Sequence, residues 1–178
     1  AAALAIGGRR MAGTASGVID SFQYYGGGEK CTLPKPDRFE YTFITADTAQ
    51  KVGELNDYTV LCYWGIYKDR VYFIDGVRGK WEAPDLETQF VAFVNQCWKR
   101  NKECGTLRKI YVEDKASGTG LIQGAKKKMP IDIEPVQRDK DKATSAMDAA
   151  PVMKAGRVAL PESHPMLAEL LAETSAFT

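Results

Sequence analysis

From Phe39 onward the chain switches repeatedly between a hydrophobic period of two and one of 3.6, and this alternation restricts the fold more than any single motif. FEYTFITAD (Phe39–Asp47) alternates aromatic or β-branched residues with smaller ones, which predicts a strand ending on an acid. DYTVLCYWGI (Asp57–Ile66) and RVYFIDG (Arg70–Gly76) predict two further strands, and the short link Tyr67-Lys68-Asp69 makes them an antiparallel hairpin. Within Ala83–Lys102, opened by Pro84, the residues Leu86, Phe90, Phe93, Val94 and Cys97 fall on one helical stripe. Asp85 and Glu87 near its start and Lys99 and Arg100 near its end suit the helix dipole.

LRKIYVED (Leu107–Asp114) predicts a fourth strand, again ending in acids, and Ser117-Gly118-Thr119-Gly120 turns the chain into a helix reaching about Lys128. Ile131–Val136 predicts a fifth strand, placed at a sheet edge by Pro135, which cannot donate to a ladder. Helices over Lys140–Met153 and from Pro165 flank a short segment at Arg157–Leu160. The order βββαβαβα predicts an α/β fold: a mixed sheet of an antiparallel three-strand meander plus parallel strands, flanked by helices.

Residues 1–37 differ from the rest. They hold 7 of the 16 glycines and end in Leu33-Pro34-Lys35-Pro36-Asp37, which predicts a linker or extended N-terminal arm before a domain at 38–178. Apolar residues at 44% and charged residues at 26% exclude a disordered tail, a collagen-like repeat and a disulfide scaffold. No apolar run approaches the roughly 18 residues of a membrane span. The 4 cysteines form no C-x-x-C pair, which argues against a cysteine zinc site and fits a reducing cytosol. The net charge of +1 lacks the strongly basic signature of many nucleic-acid binders.

Chemistry concentrates at two strand ends. Asp47 closes the first predicted strand and Glu113 the fourth, so neighbouring positions in the sheet would bring their carboxylates together where α/β sheets usually bind ligands. Carboxylates suit hard divalent cations such as Mg²⁺, and two such ions about 4 Å apart serve phosphodiester hydrolysis. Glu113 and Asp114 point to opposite faces, and alternation alone does not decide which enters a site. Asp57 lies near Asp47 across the hairpin, as an auxiliary ligand or as a turn-forming residue. Lys115, Arg138, Lys140 and Lys142 are candidate phosphate contacts, whereas Lys126-Lys127-Lys128 reads as a solvated helix end. Asp75 reads as a structural strand-end acid, Asp139 as locally paired, and His164 as a surface residue before the last helix.

The segments FITADTAQ, NDYTV, VYFIDGVRGKWEAP, YVEDKASGTGLIQ, QRDKDKATSAM and GRVALP, in this order, resemble the nuclease domain of tailed-bacteriophage terminase large subunits over residues 38–178. The resemblance implies an RNase H-like fold and metal-dependent cutting of concatemeric viral DNA with Mg²⁺ or Mn²⁺. It implies Asp47 and Glu113, rather than Asp114, as metal ligands. It further implies a small terminase subunit and a portal protein as partners, and action in the bacterial host cytoplasm at the procapsid. The family's packaging ATPase is not represented, because no G-x-x-x-x-G-K-[ST] loop occurs in this sequence. The family's third metal-binding acid is expected beyond Thr178, with Glu169 and Glu173 as weaker substitutes. The competing expectation is a catalytically inactive DNA-binding or docking module of resolvase type.

Overall fold

The computed structural model describes residues 21–26, 29–48, 58–113, 116–137, 139 and 141–175. Its strands are β1 (Ser21–Gly26), β2 (Glu29–Pro34), β3 (Tyr41–Asp47), β4 (Thr59–Tyr67), β5 (Arg70–Gly79), β6 (Leu107–Glu113), β7 (Asp132–Val136) and β8 (Val158–Pro161). They form an 8-stranded sheet in the order β2-β1-β8-β5-β4-β3-β6-β7. The helices are α1 (Ala83–Lys99), α2 (Asn101–Cys104), α3 (Ala116–Lys126), α4 (Lys142–Lys154) and α5 (Leu167–Ser175). Among the described residues no helix is long and apolar enough to cross a membrane.

The meander is present as β3-β4-β5, antiparallel throughout, and its two-residue turn puts Lys68 in the left-handed region at φ 54°. Three parallel pairings extend it: β6 on β3, β7 on β6 and β8 on β5. Pro135 sits in β7 at the edge of the sheet, as its missing N–H requires. Alternation along β3 and β4 sends Ile44, Ala46, Leu61 and Tyr63 to one face, where they meet the apolar stripe of α1 and the α3 residues Leu121, Ile122 and Ala125. Burying each large apolar side chain contributes about 1.5–3 kcal/mol, so this layer dominates the hydrophobic stabilisation of the domain. The opposite face carries a smaller cluster, Cys62, Phe73, Leu160 and Met166, covered by Leu167, Leu170 and Leu171 of α5.

The start of β6 is fixed by local chemistry. Gly105 caps α2 at φ 116°, and a Cβ there would lie 2.5 Å from the Phe39 carbonyl oxygen. The Asn101 side chain accepts from the Leu107 N–H at 2.9 Å, while the Thr42 N–H donates to the Thr106 carbonyl at 2.9 Å. These contacts set β6 beside β3 before its ladder begins.

Three expectations are corrected. The linker or arm over residues 1–37 does not hold for Ser21–Pro34, where β1 and β2 pair antiparallel and β1 continues onto β8. The reason is burial: Phe22 is 1% exposed and packs edge-on against Tyr72 at 5.1 Å. Residues 1–20 of that segment lie outside the described residues. The helix predicted over Ala83–Lys102 ends at Lys99, with the short α2 following, and Ser117–Gly120 belong to the first turns of α3 rather than to a turn.

If the N-terminal hairpin is part of the folded sheet, Phe22→Ala will lower the free energy of unfolding by about 3–5 kcal/mol, read from the urea midpoint. A residue in an unpacked arm would change it by no more than about 0.5 kcal/mol.

Candidate functional site

Parallel pairing of β3 with β6 brings the two predicted acids together. The ladder runs Thr45↔Tyr111 and Ala46↔Val112, so Asp47 and Glu113 stand one step further on, level with each other at the C-terminal ends of adjacent strands. Residues level in such a ladder point to the same face, and neighbouring strands lie about 4.8 Å apart. Asp47 is exposed at the rim, whereas Glu113 is 8% exposed beneath it. Both line an open cleft of ≈ 630 Å³ with Thr45, Val60, Cys62 and Tyr111. Its far side is built from the segment after β7, through Val136, Gln137 and Asp139, and from Ser145 of α4.

The other sequence candidates fare unequally. Asp57, Lys115, Arg138 and Lys140 lie outside the described residues, as does Asp114. Lys142 opens α4, the helix whose Ser145 borders the cleft. Asp139, expected to be paired locally, lines the cleft alongside Asp47 and Glu113; its place follows from the turn between β7 and α4, which no local pattern announces. Glu169 is committed to Arg78 at 2.7 Å. Among the described residues no three His, Cys, Asp or Glu side chains are grouped closely enough to enclose a metal ion by themselves.

The sequence profile of the terminase RNaseH-like domain matches residues 44–178. The chain belongs to this family. Its fold is RNase H-like, as the solved structures show. The large terminase of a thermophilic bacteriophage superposes with a TM-score of 0.57 at 12% identity, covering 81% of this chain and 33% of that one. The human cytomegalovirus terminase nuclease domain superposes with a TM-score of 0.56 at 10% identity, covering 78% of this chain and 74% of that one. An Mn-soaked form of the cytomegalovirus domain gives 0.57 at 10% identity, covering 78% and 73%. This chain thus spans about a third of the bacteriophage large terminase. No curated protein matches the sequence.

Behind the cleft, this RNase H-like domain holds a second acid in a closed network. Asp75 on β5 is 2% exposed. Its Oδ1 accepts the Gly76 N–H at 2.8 Å and lies 3.2 Å from His164 Nε2, while Oδ2 meets Arg100 Nη1 at 3.2 Å. His164 Nδ1 accepts the Met166 N–H at 3.1 Å, which assigns the ring proton to Nε2, donating to Asp75. The structural role expected for Asp75 holds. The surface role expected for His164 is corrected: the ring is buried and stacks edge-on against Phe73 at 5.0 Å. A lone histidine before a proline carries no local signal of a carboxylate partner 89 positions away.

Neighbours of this network are neutral acids held in their protonated forms. Burial pushes the Cys97 thiol well above its ordinary value of 9.0, and burial likewise pushes the Tyr63 phenol up from 10.0. A folded-state value above the unfolded one gives stability that is complete below the unfolded value and declines as pH rises past it. Unfolding midpoints will therefore be flat to about pH 9 and fall above it, and Tyr63→Phe with Cys97→Ala will flatten that decline. Arg100→Leu takes one of the partners from the buried Asp75 carboxylate, which keeps the Gly76 N–H and His164, and will cost about 1–3 kcal/mol in urea unfolding at neutral pH.

Proposed function

We propose that this domain is a divalent-metal-dependent endodeoxyribonuclease, the cutting domain of a phage terminase large subunit that cleaves concatemeric double-stranded viral DNA during packaging. One observation carries the reading: the β3–β6 register sets Asp47 and Glu113 level, on one face, in an open cleft. The donor set fits Mg²⁺ or Mn²⁺. Both side chains offer hard carboxylate oxygens, and the cleft leaves room for phosphate oxygens and water to complete the coordination that such ions require. Ions of this kind lower the pKa of bound water and neutralise charge developing on a phosphate.

The chain's own residues then have distinct tasks. Asp47, exposed at the rim, and Glu113, recessed, would together hold two ions from rigid strand ends, with Asp57 as an auxiliary ligand. Val60, Cys62 and Tyr111 shape the walls of the cleft, and hydrolysis would proceed by direct attack of water. Lys142 opens the helix bordering the cleft, which supports phosphate contacts from Arg138, Lys140 and Lys142, with Lys115 two residues past Glu113 in sequence. Site selection would come from a small terminase subunit, and a portal protein and an ATPase domain of the same subunit would drive packaging at the procapsid in the bacterial cytoplasm.

Conversion of supercoiled plasmid tests this. Mn²⁺ will support nicking, chelator will abolish it, and Asp47→Asn or Glu113→Gln will each reduce the rate about 100-fold or more with an unchanged circular dichroism spectrum. Equal cutting in chelator, or full activity in both variants, would show the two-metal reading to be wrong. DNA binding without any cutting would favour the inactive docking module instead.

A further inference from the structure

The row of residues that carries the acids continues across the sheet. Asp47 pairs with Val60 on β4, and Val60 pairs with Arg78 on β5. Glu113, Asp47, Val60 and Arg78 therefore form one line over four adjacent strands, all on the cleft face, with Arg78 about 10 Å from Asp47 at two strand spacings. Two residues beyond, Lys80 returns to that face, and Tyr58, two residues before Val60, lies on it as well. Tyr58 is 39% exposed and gathers both cations: the Arg78 guanidinium sits 3.9 Å from the ring centroid and the Lys80 ammonium 4.9 Å.

The two cations of this cluster are held differently. Arg78 meets Glu169 of α5 at 2.7 Å, which accounts for one of the two cations. Lys80 is exposed and makes no ion pair among the described residues. Glu169 offsets the charge of Arg78, which leaves the Lys80 ammonium on the Tyr58 ring to meet an anion. The ring restricts both side chains, which lowers the entropy lost on binding such an anion. A strand-end acid pair with a cation pair two strands away on the same face is the arrangement that a chain of phosphates crossing the sheet requires: one phosphate at the acids with their metal, a neighbouring one at the cations.

We propose that Tyr58, Arg78 and Lys80 form a phosphate-binding flank for duplex DNA beside the Asp47–Glu113 cleft. This rests on the nuclease reading for its ligand, but not for its geometry. The flank holds the backbone at a point next to the cut and contributes affinity without sequence preference.

Its test is the salt dependence of binding to a short fluorescent duplex, followed by anisotropy in metal-free buffer with chelator. Each phosphate contact contributes about 0.9 to the slope of log K against log salt. Lys80→Ala will lower the slope by about one, and adding Arg78→Gln will lower it by less than one more, because Glu169 already meets that cation. Lys127→Ala, at the end of α3 beneath the opposite face, will leave it unchanged. Lys80→Ala alone keeps the test valid should Arg78→Gln loosen α5, because Lys80 is exposed and touches only Tyr58 among the contacts described. An unchanged slope in Lys80→Ala and in the double variant overturns the flank, even where plasmid cutting depends on Asp47. A reduced slope sustains it, even where Asp47→Asn still cuts and the two-metal reading falls. No binding of duplex by the parent chain in this buffer overturns the flank and leaves the metal-dependent cutting assay to judge the nuclease reading.

Discussion

Everything at the candidate site depends on the parallel pairing of β3 with β6. Because side chains alternate with a period of two, a slip of one residue in this ladder would turn Glu113 away from Asp47 and put its neighbour on the cleft face. The register is secured at the opposite end of the strands, where Gly105 passes against Phe39 and the Asn101 side chain holds the Leu107 N–H. Stability and chemistry are thus separated along one pair of strands. The α2–β6 junction fixes the register, the apolar middle of β6 buries Ile110 and Val112, and the C-terminal end is left to present acids.

A second constraint organises the other half of the sheet. The pairing of β4 with β5 slips between Tyr63 and Trp64, so Phe73 joins the cluster under α5 while Asp75 stands opposite Tyr63. β8 follows β5 only through Val71 and Tyr72 before pairing with β1. His164, just past the end of β8, bonds Asp75, and Arg100 reaches the same carboxylate from the end of α1. One buried carboxylate therefore joins the last turn of α1, the bulged strand and the approach to α5. Glu169 on Arg78 adds a second tie between α5 and β5, and the same arginine belongs to the row that ends at the acids.

The element order from Tyr41 to Ser175 was legible because each segment carries a strong period and obvious breakers, and parallel pairing follows once helices separate the strands. Asp47 and Glu113 were legible as strand-end acids, although alternation left Glu113 and Asp114 undecided and only the family resemblance chose between them. The hairpin at Ser21–Pro34 was hidden by its glycines and prolines. What holds it is Phe22 against Tyr72 and β8 alongside, both far off in sequence. His164 was misread because its partners are supplied by the chain's return, not by adjacent residues. Local pattern reports which element forms, and only tertiary placement reports what an isolated polar residue in a connection will meet.

A net charge of +1 is a poor guide to whether such a domain meets a polyanion. Charge on this sheet is segregated rather than absent: the row from Glu113 and Asp47 through Val60 to Arg78 runs from acid to base across four strands, with one apolar position between. Two acids against one base leave the row a net charge of −1, but a ligand whose phosphates repeat at fixed spacing does not meet that sum, because each phosphate samples the field within about one Debye length, about 10 Å at moderate salt. A cation bound between the carboxylates would reverse the sign at the acidic end while leaving the basic end as it is. A sheet of this kind would then attract DNA along the whole row only when metal is present, which couples substrate capture to readiness for chemistry.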